Sequence, residues 1–376
     1  MTPLFETGFG HALKLARYPE RKHEELQAFD AADSLLLEEL ASDRPALADK
    51  RILVVGDAFG ALSVPLATYG VTTYTDSFSS ARAIARNADR NPSETKSTPR
   101  IVHRLADLEG PYDLVLLRPP KNLAYLEDLL ATLSSKLAPG ARLVAGVMVK
   151  HQSDGAFELL ERLVGPTRTS LAKKKARLIF ADFVRAPSVS PFPRDVRLDG
   201  FDRPFHHPSN LFSRERLDIG TRFFLEHLPA GDARSILDLG CANGIVGIAA
   251  GRMHPAARVT YTDDSWMAVE SAKENHARFG EGREADFAWT NAYEDGPDEA
   301  HDLVLCNPPF HQGTTVGDQI AGAMFHQAHR VLRPGGRLRV IGNAHLGYPA
   351  RLARIFGGIE PVARNAKFTV VDAIKR

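Results

Sequence analysis

Short apolar runs of strand length alternate with amphipathic stretches of helical length in the second half of the chain. The apolar runs are Ser235–Leu239, Val259–Thr262, Phe287–Thr290, Leu303–Cys306 and Leu338–Ile341, and the helical stretches include one from Ile245, Met267–Phe279 and Gln319–Leu332. Strands that alternate with helices usually pair in parallel, in a sheet with helices on both faces. Two further strand-like pieces, Ile359–Val362 and Lys367–Ile374, end the chain. The pattern predicts an α/β, Rossmann-like fold that closes with an antiparallel hairpin, which is unusual for a dehydrogenase.

The first half of the chain repeats the landmarks of the second half in the same order. The corresponding segments are Gly56–Gly60 with Gly240–Gly244, Tyr74–Asp76 with Tyr261–Asp263, Asp113–Lys121 with Asp302–Phe310, and Leu137–Val144 with Leu332–Arg339. Such self-similarity indicates an internal duplication. We therefore predict two tandem copies of one fold, over residues 1–187 and 209–376, joined by a linker rich in Pro, Asp and Arg at 188–208. Within the first copy, the periodicity of Glu24–Leu40 predicts a helix.

Length and composition agree with this division. A chain of 376 residues is long enough for two domains that each bury a core, and 44% hydrophobic with 25% charged residues is ordinary for a globular protein. There is no apolar run near the roughly 18 residues of a membrane span and no secretory signal pattern, so we expect a cytoplasmic protein with no membrane contact. The net charge of +1 leaves RNA binding to local basic patches. Oligomeric state is hidden from sequence; we expect a monomer.

Metal chemistry has little support in the sequence. The chain has only two cysteines, Cys241 and Cys306, which is neither a disulfide framework nor a zinc spacing. His326 and His329 lie three residues apart in a predicted helix, but no third ligand follows at metal spacing. We predict no metal site.

A glycine turn after the first predicted strand of the second half is the candidate cofactor site. Ligands of parallel sheets bind beyond the carboxyl ends of the strands, and glycines allow close approach of the backbone. Asp238 precedes Gly240 and Gly244, a spacing that departs from the dinucleotide fingerprint and offers a carboxylate to a cationic amino group. Asp263, at the end of the next strand, can accept both hydroxyls of a ribose. These features predict S-adenosylmethionine as the cofactor.

Three more residues complete the predicted cofactor site or influence it. Asn291 follows the third strand and is the predicted contact on the adenine side; a simple turn cap is the alternative. Ala242 stands at a position where glycine would suit the turn better, and Asp264 can replace Asp263 or cap the next helix.

The sequence Asn307-Pro-Pro-Phe310 is the candidate catalytic turn. Two prolines fix an extended backbone and remove two donors, so carbonyl oxygens stay free to face a substrate. The amino group of a nucleobase is a weak nucleophile, and acceptance of its N–H bonds by Asn307 and by the carbonyl of Pro308 would direct its lone pair toward a methyl donor. Phe310 would stack on the base, a contact worth roughly 1–3 kcal/mol. A plain turn after a strand is the alternative.

These residues, in this order, resemble the two-domain rRNA guanine-N2 methyltransferases over nearly the whole chain. The resemblance rests on segments that include Asp57–Ser63, Lys174–Leu178, Phe212–Arg214, Leu217–Gly220, Cys306–Gln312 and Met324–His326. The first two favour the large-subunit enzymes, which act on 23S rRNA, over the similar small-subunit enzymes, which act on 16S rRNA. The family implies protein-free rRNA as substrate, N2-methylguanosine as product, and cofactor binding at Gly240, Gly244 and Asp263.

The first copy departs from this catalytic pattern. Arg118 and Lys121 stand where the other copy has the asparagine and the phenylalanine, and Val54 stands where the other has Asp238. We predict an inactive copy whose cations contact RNA phosphates, with the basic run Lys173–Arg177 as a second contact or a merely solvated edge.

Two other functions remain open from sequence. Turns of the Asn-Pro-Pro-aromatic type also serve adenine-N6 methylation of DNA and glutamine methylation of protein, although such enzymes usually carry a different second domain. A non-catalytic RNA-binding factor in ribosome assembly could also keep the pocket as a scaffold, against which the intact Asp238, Asp263, Asn307 and Phe310 argue.

Overall fold

The computed structural model describes residues 4–92, 97–211, 217–309 and 315–376. The chain divides between Phe192 and Pro193 into two compact units, each described here by itself. Among the described residues, no helix has both the length and the apolar character that crossing a membrane requires. Nor do the described parts of the chain contain a group of three or more His, Cys, Asp or Glu side chains suited to a metal ion.

The first unit contains a small hairpin and a seven-stranded sheet. Its strands are β1 (Leu4–Glu6), β2 (Ala12–Lys14), β3 (Ile52–Val55), β4 (Thr72–Tyr74), β5 (Arg100–Val102), β6 (Tyr112–Leu117), β7 (Leu137–Met148), β8 (Thr167–Thr169) and β9 (Ala176–Asp182). Its α-helices are α1 (Ala31–Ala41), α2 (Phe78–Arg90), α3 (Leu123–Ser134) and α4 (Asp154–Leu163). The sheet has the order β5-β4-β3-β6-β7-β9-β8, and only β9 runs antiparallel to its neighbours.

The second unit has the same plan. Its strands are β10 (Arg194–Val196), β11 (Phe205–His207), β12 (Ser235–Leu239), β13 (Arg258–Asp263), β14 (Ala285–Trp289), β15 (His301–Cys306), β16 (Leu332–Asn343), β17 (Glu360–Arg364) and β18 (Phe368–Ile374). Its described α-helices are α5 (Ile219–Leu225), α6 (Ile245–Met253), α7 (Trp266–Phe279), α8 (Thr315–Val331) and α9 (Tyr348–Phe356). The sheet order, β14-β13-β12-β15-β16-β18-β17, matches that of the first unit strand for strand. The predicted α/β class and the terminal antiparallel hairpin, β17–β18, are confirmed.

The burial pattern explains why these runs form central strands. All four residues of β3 are buried, as expected for a strand of a parallel sheet with both faces covered. Successive side chains alternate between two cores: Ile236 of β12 packs in one apolar cluster and Leu237 in the other. Each unit therefore has one core on each face of its sheet.

An asparagine ties the hairpin of each unit to a helix beside the sheet. In the first unit, Asn87 of α2 accepts from the backbone N–H of Ala16 at 3.0 Å and donates to its carbonyl at 2.8 Å. In the second unit, Asn275 of α7 accepts from the N–H of His206 at 2.7 Å and donates to its carbonyl at 3.1 Å. Both asparagines are almost fully buried. Asn87 binds the chain two residues after β2, and Asn275 binds within β11, so a buried asparagine makes the same pair of hydrogen bonds in each unit.

Part of the segment predicted as a linker belongs to the second unit. Strands β10 and β11 lie within 188–208 and pair with each other. Phe205 of β11 stacks on Phe279 of α7, with ring centroids 4.5 Å apart. Residues from Pro193 onward are therefore packed against the second sheet.

The helix predicted over Glu24–Leu40 is shorter than expected, because α1 begins at Ala31. Asp30 accepts from the N–H groups of Ala32 and Asp33, and the Asp33 carboxylate accepts from the N–H of Asp30. This capping box fixes the start of a helix. The prediction for residues 24–30 was wrong because periodicity alone does not show where the cap lies.

Candidate active site

The candidate residues of the second unit meet at the carboxyl edge of its sheet. Leu239, the last residue of β12, pairs with Thr262 of β13 on one side and with Cys306 of β15 on the other. The residues that follow these three are the glycine turn, Asp263 and Asn307. The strand register therefore brings the predicted cofactor turn and the predicted catalytic turn side by side.

The glycine turn needs left-handed backbone at three positions. Gly240 and Gly244 have φ values of +78° and +79°, and a Cβ on Gly244 would lie 3.1 Å from Cα of Ala272. Ala242 between them also has a positive φ, +48°, which is unfavourable for a residue with a side chain. The departure from glycine noted in the sequence is therefore a point of backbone strain in the turn.

Asp263 binds directly to this turn. Its Oδ2 accepts from the N–H of Ala242 at 3.0 Å, and its Oδ1 accepts from the N–H of Ser265 at 2.9 Å. The side chain is only partly buried. A carboxylate is thus held at the tip of β13 between the glycine turn and the start of α7.

Asp238 is buried, with 3% of its surface exposed. Its Oδ2 accepts from the N–H of Gly247 in α6 at 2.8 Å. The pKa of Asp238 is raised to about 7, chiefly by burial, with the Gly247 hydrogen bond opposing the rise and the nearby Asp263 charge adding to it. The carboxyl group therefore carries a proton readily near neutral pH and links β12 to α6.

Asn291 lies beyond the end of β14, in a strained turn. Its Nδ2 donates to Oε2 of Glu294 at 3.1 Å, and the next two residues, Ala292 and Tyr293, have φ values of +46° and +63°. The preceding residue, Thr290, donates its N–H to the carbonyl of Asp263 at 3.0 Å. Asn291 is therefore at the same edge as the glycine turn, one strand further out than Asp263.

Buried hydroxyl groups without partners lie beside Asp263. The side-chain oxygens of Thr262 and Thr290 are buried and have no hydrogen-bond partner among the described residues. Unpaired buried polar atoms are costly in a folded protein. Sequence reasoning did not single out these two threonines.

The only two tryptophans of the chain also border Asp263. Trp289 is its register partner in β14, and Trp266 follows it by three residues at the start of α7. The two rings are perpendicular, with centroids 5.5 Å apart, and the indole N–H of Trp289 donates to the carbonyl of Asp264 at 2.8 Å. They give this part of the edge an aromatic wall.

Asn307 begins the predicted catalytic turn directly after β15. Its Nδ2 donates to Oγ1 of Thr221 at 3.1 Å. Its Oδ1 is buried and has no hydrogen-bond partner in the described parts of the chain. Pro308 is buried and Pro309 exposed, whereas Phe310 lies outside the described residues. The turn therefore presents one amide oxygen that has no partner among residues 4–92, 97–211, 217–309 and 315–376.

Thr221 is a contact of the catalytic turn that sequence reasoning missed. It is the third residue of α5, whose N-cap, Asp218, accepts from the N–H groups of Gly220 at 2.9 Å and Thr221 at 3.1 Å. Thr221 lies far from Asn307 in sequence, and the only available signal was the segment Leu217–Gly220 beside it.

At the equivalent edge of the first unit, the backbone N–H groups of the glycine turn are hydrogen-bonded by a side chain of the turn itself. Gly56 and Gly60 have the same left-handed backbone, with φ of +81° and +90°. Between them, the buried carboxylate of Asp57 accepts from five successive N–H groups and one hydroxyl, those of Phe59, Gly60, Ala61, Leu62 and Ser63. In the second unit the glycine turn leads into α6. In the described chain of the first unit, the corresponding turn is followed by further turns and a short 3-10 helix, Ala67–Tyr69. The N–H groups of this turn are therefore already used.

Arg118 is not a free cation. Its guanidinium pairs with Asp30 at 2.8 Å and also with Asp33, and only 20% of its side chain is exposed. The prediction that Arg118 contacts phosphates was wrong, because two carboxylates of α1 and its cap neutralise it. Lys121 is exposed, as are Lys174 and the rest of the run at Lys173–Lys175, although Lys173 pairs with a glutamate.

Two family models match the chain in succession. Residues 4–185 match the RLMG N-terminal domain, and residues 202–372 match the methyltransferase small domain. Among similar proteins, ribosomal RNA large subunit methyltransferase G of Pseudomonas fluorescens (strain Pf0-1) is 46% identical over 99% of this chain and 100% of its own length. The protein of the same name from Pseudomonas aeruginosa (strain UCBPP-PA14) is 47% identical over the same shares.

A solved structure has a similar fold. The 16S rRNA N2 methyltransferase of T. thermophilus, in complex with AdoMet and guanosine, matches with a TM-score of 0.77 and 22% identity. The match covers 100% of this chain and 98% of the other.

Proposed function

Because the chain belongs to the ribosomal RNA large subunit methyltransferase G family, we propose that it uses S-adenosylmethionine to methylate the exocyclic N2 amine of a guanine in 23S rRNA. The observation that carries this proposal is the buried Oδ1 of Asn307 beside the glycine turn, which no described residue contacts with a hydrogen bond. An acceptor kept free at this position suits a ligand that brings its own N–H group. Protein-free rRNA is the proposed form of the substrate.

Asn307 would act by positioning and by accepting a hydrogen bond. The lone pair of an aromatic amine is delocalised into the ring, so the nitrogen attacks poorly while it is planar. Acceptance of its two N–H bonds, by Asn307 Oδ1 and by the carbonyl of Pro308, favours a pyramidal nitrogen with a directed lone pair. S-adenosylmethionine supplies the methyl group already activated as a sulfonium, so orientation provides much of the rate. The proton leaves the amine after transfer, and no general base is required. Phe310 is the proposed stacking partner of the base.

The residues around the glycine turn suit this cofactor. Asp263 is held at the strand tip with part of its surface exposed, where it would accept from the ribose hydroxyls. The unpartnered hydroxyls of Thr262 and Thr290 offer polar contacts beside it. The backbone of the glycine turn at 240–244 would lie against the methionine part, with Asp238 favouring its ammonium group and Asn291 on the adenine side.

The first unit is proposed to hold RNA and not to bind a second cofactor. The Asp57 carboxylate occupies the donors of its glycine turn, and Arg118 is paired. The exposed cations Lys121, Lys174 and Lys175 remain the proposed phosphate contacts.

We also propose that the two units arose by duplication. Beyond the common strand order, the asparagine that holds each hairpin donates to the residue before the second glycine of the turn: Asn87 to the carbonyl of Phe59 at 2.7 Å, and Asn275 to that of Asn243 at 2.9 Å. Three hydrogen bonds repeated on equivalent groups favour common ancestry. A monomer in the cytoplasm, where rRNA is processed, completes the proposal.

The test is methyl transfer to several acceptors in parallel. Purified protein and tritiated S-adenosylmethionine are incubated with protein-free 23S rRNA, 16S rRNA, DNA and total protein. We expect label in 23S rRNA alone, and N2-methylguanosine in its nuclease digest by mass spectrometry. Label in adenine of DNA or in glutamine of protein would contradict the proposed substrate. RNA binding without any transfer would support an assembly factor instead.

A further inference from the structure

We propose that Thr221 is a positioning residue that holds the side-chain amide of Asn307 with its oxygen toward the substrate amine. The inference rests on the proposed function and adds a residue to it. Its basis is the hydrogen bond from Asn307 Nδ2 to Thr221 Oγ1, 3.1 Å long, on the opposite side of the amide from the unpartnered Oδ1.

The amide of Asn307 has two polar ends with opposite roles. A terminal amide can rotate by half a turn and exchange its oxygen and nitrogen with little change in shape. Rotated in that way, Asn307 would turn an N–H group toward the N–H groups of the substrate amine, and two donors would face each other. The hydroxyl of Thr221 can accept from Nδ2 or donate to Oδ1, so the substrate amine selects between the two orientations. With Oδ1 toward the amine and Nδ2 toward Thr221, as in this structure, both ends of the amide have a partner.

Thr221 is well placed for this role. It is 9% exposed, and Asp218 fixes its backbone through the helix cap. Helix α5 also packs closely against Phe368, because a Cβ added to Gly220 would lie 3.1 Å from the Phe368 ring. Helix α5 therefore fixes the backbone from which the Thr221 hydroxyl projects. Donation from Nδ2 to this oxygen also polarises the amide, which makes Oδ1 a better acceptor.

The first unit has a different pair at the equivalent place. Asp33 is the third residue of α1 as Thr221 is of α5, and each contacts the residue that precedes the double proline, Arg118 in the first unit and Asn307 in the second. The contact between helix and turn is present in both units. In the first unit this contact is an ion pair. In the second unit it joins two uncharged side chains, and the amide oxygen of Asn307 faces the proposed substrate.

The experiment compares Thr221→Val with Thr221→Ser in the full-length protein. Valine has the shape of threonine but leaves Asn307 Nδ2 without an acceptor, so we expect kcat for methyl transfer to 23S rRNA to fall about tenfold or more, the equivalent of about 1.4 kcal/mol. The KM values for RNA and S-adenosylmethionine should change less than about twofold. Serine restores the hydroxyl and should recover at least about a third of the wild-type kcat. Thr132→Val, the same change on helix α3 of the first unit, is the control and should keep the wild-type rate.

The outcomes separate this inference from the function on which it rests. A wild-type enzyme that methylates 23S rRNA, together with a Thr221→Val variant of equal kcat, would overturn the role of Thr221 alone. The role of Thr221 would also be overturned if the Thr221→Ser variant is as slow as Thr221→Val, or if Thr221→Val raises KM and leaves kcat unchanged. A wild-type protein that transfers no methyl group to any RNA would overturn both.

Discussion

At the carboxyl edges of their sheets, the two units treat their polar groups in opposite ways. The second unit leaves buried acceptors such as Asn307 Oδ1 without a partner among the described residues, and it keeps a strained Ala242 in its glycine turn. The first unit fills the corresponding turn with the Asp57 carboxylate and pairs Arg118 with two acids. Unsatisfied groups and strain reduce stability and are kept where a ligand needs them. The comparison therefore distinguishes the edge of the second unit, whose polar groups remain available to ligands, from that of the first unit, whose polar groups bond to one another.

The largest effect is expected from Asn307→Ala. Loss of an oriented acceptor in a closed site typically costs about 100- to 1000-fold in rate, so kcat for transfer to 23S rRNA should fall by at least about 100-fold. RNA affinity, measured by filter binding, should change less than about twofold. Alanine removes a buried oxygen that has no partner among the described residues but also the hydrogen bond to Thr221, so the two effects oppose each other and the free energy of unfolding should change by less than about 1 kcal/mol. A variant that is inactive because it is unfolded or has lost RNA binding would contradict this account.

Arg118→Ala, at the position equivalent to Asn307, tests whether the first unit depends on its paired polar groups for stability. It leaves Asp33 buried beside Asp30 without a cation, so the free energy of unfolding should fall by about 2–4 kcal/mol, measured by urea denaturation. The double variant Asp33→Thr with Arg118→Asn imports the neutral pair of the second unit and should recover most of that loss. As a control, Arg100→Ala breaks an exposed pair with Glu109 and should leave the free energy of unfolding nearly unchanged. Equal losses for Arg100→Ala and Arg118→Ala would remove the distinction between the two units.

The smallest of the three effects concerns pH. Burial raises the pKa of Asp238 to about 7, whereas Val54 at the matching position of the first unit cannot titrate. A carboxyl whose pKa is higher in the folded state stabilises that state when protonated, and this contribution is lost as pH rises through about 7. The free energy of unfolding of wild type relative to Asp238→Asn should therefore fall by about 1–2 kcal/mol between pH 5 and pH 8. Burial also raises the pKa of Asp33, to about 6, but that group is common to both proteins and cancels. Parallel pH curves for the two proteins would contradict the prediction.

The sequence predicted what depends on local pattern. The strand Ser235–Leu239 and the start of α6 at Ile245 have the predicted bounds, because an apolar run and a glycine turn are visible in a few residues. The same strand order in both units was expected from the repeated landmarks. The roles of the site residues themselves stay predictions.

Contacts between distant segments could not be predicted in this way. The pairing of Arg118 with Asp30 and Asp33 joins segments far apart in the chain, and so does the contact of Thr221 with Asn307. A charged residue looks the same in sequence whether it faces solvent or a buried acid, so Arg118 was wrongly assigned to phosphates. Asp57 was read as part of a family motif, and only its five backbone donors reveal that it fills its own turn.

The position of the two tryptophans gives this protein an optical probe of its own. Trp266 and Trp289 are the only indoles in the chain, and both stand next to Asp263. The indole fluorescence of this protein therefore arises at one place in one unit. A nucleoside that enters there should quench or shift the signal without any label, and one that binds only in the first unit should leave the spectrum untouched.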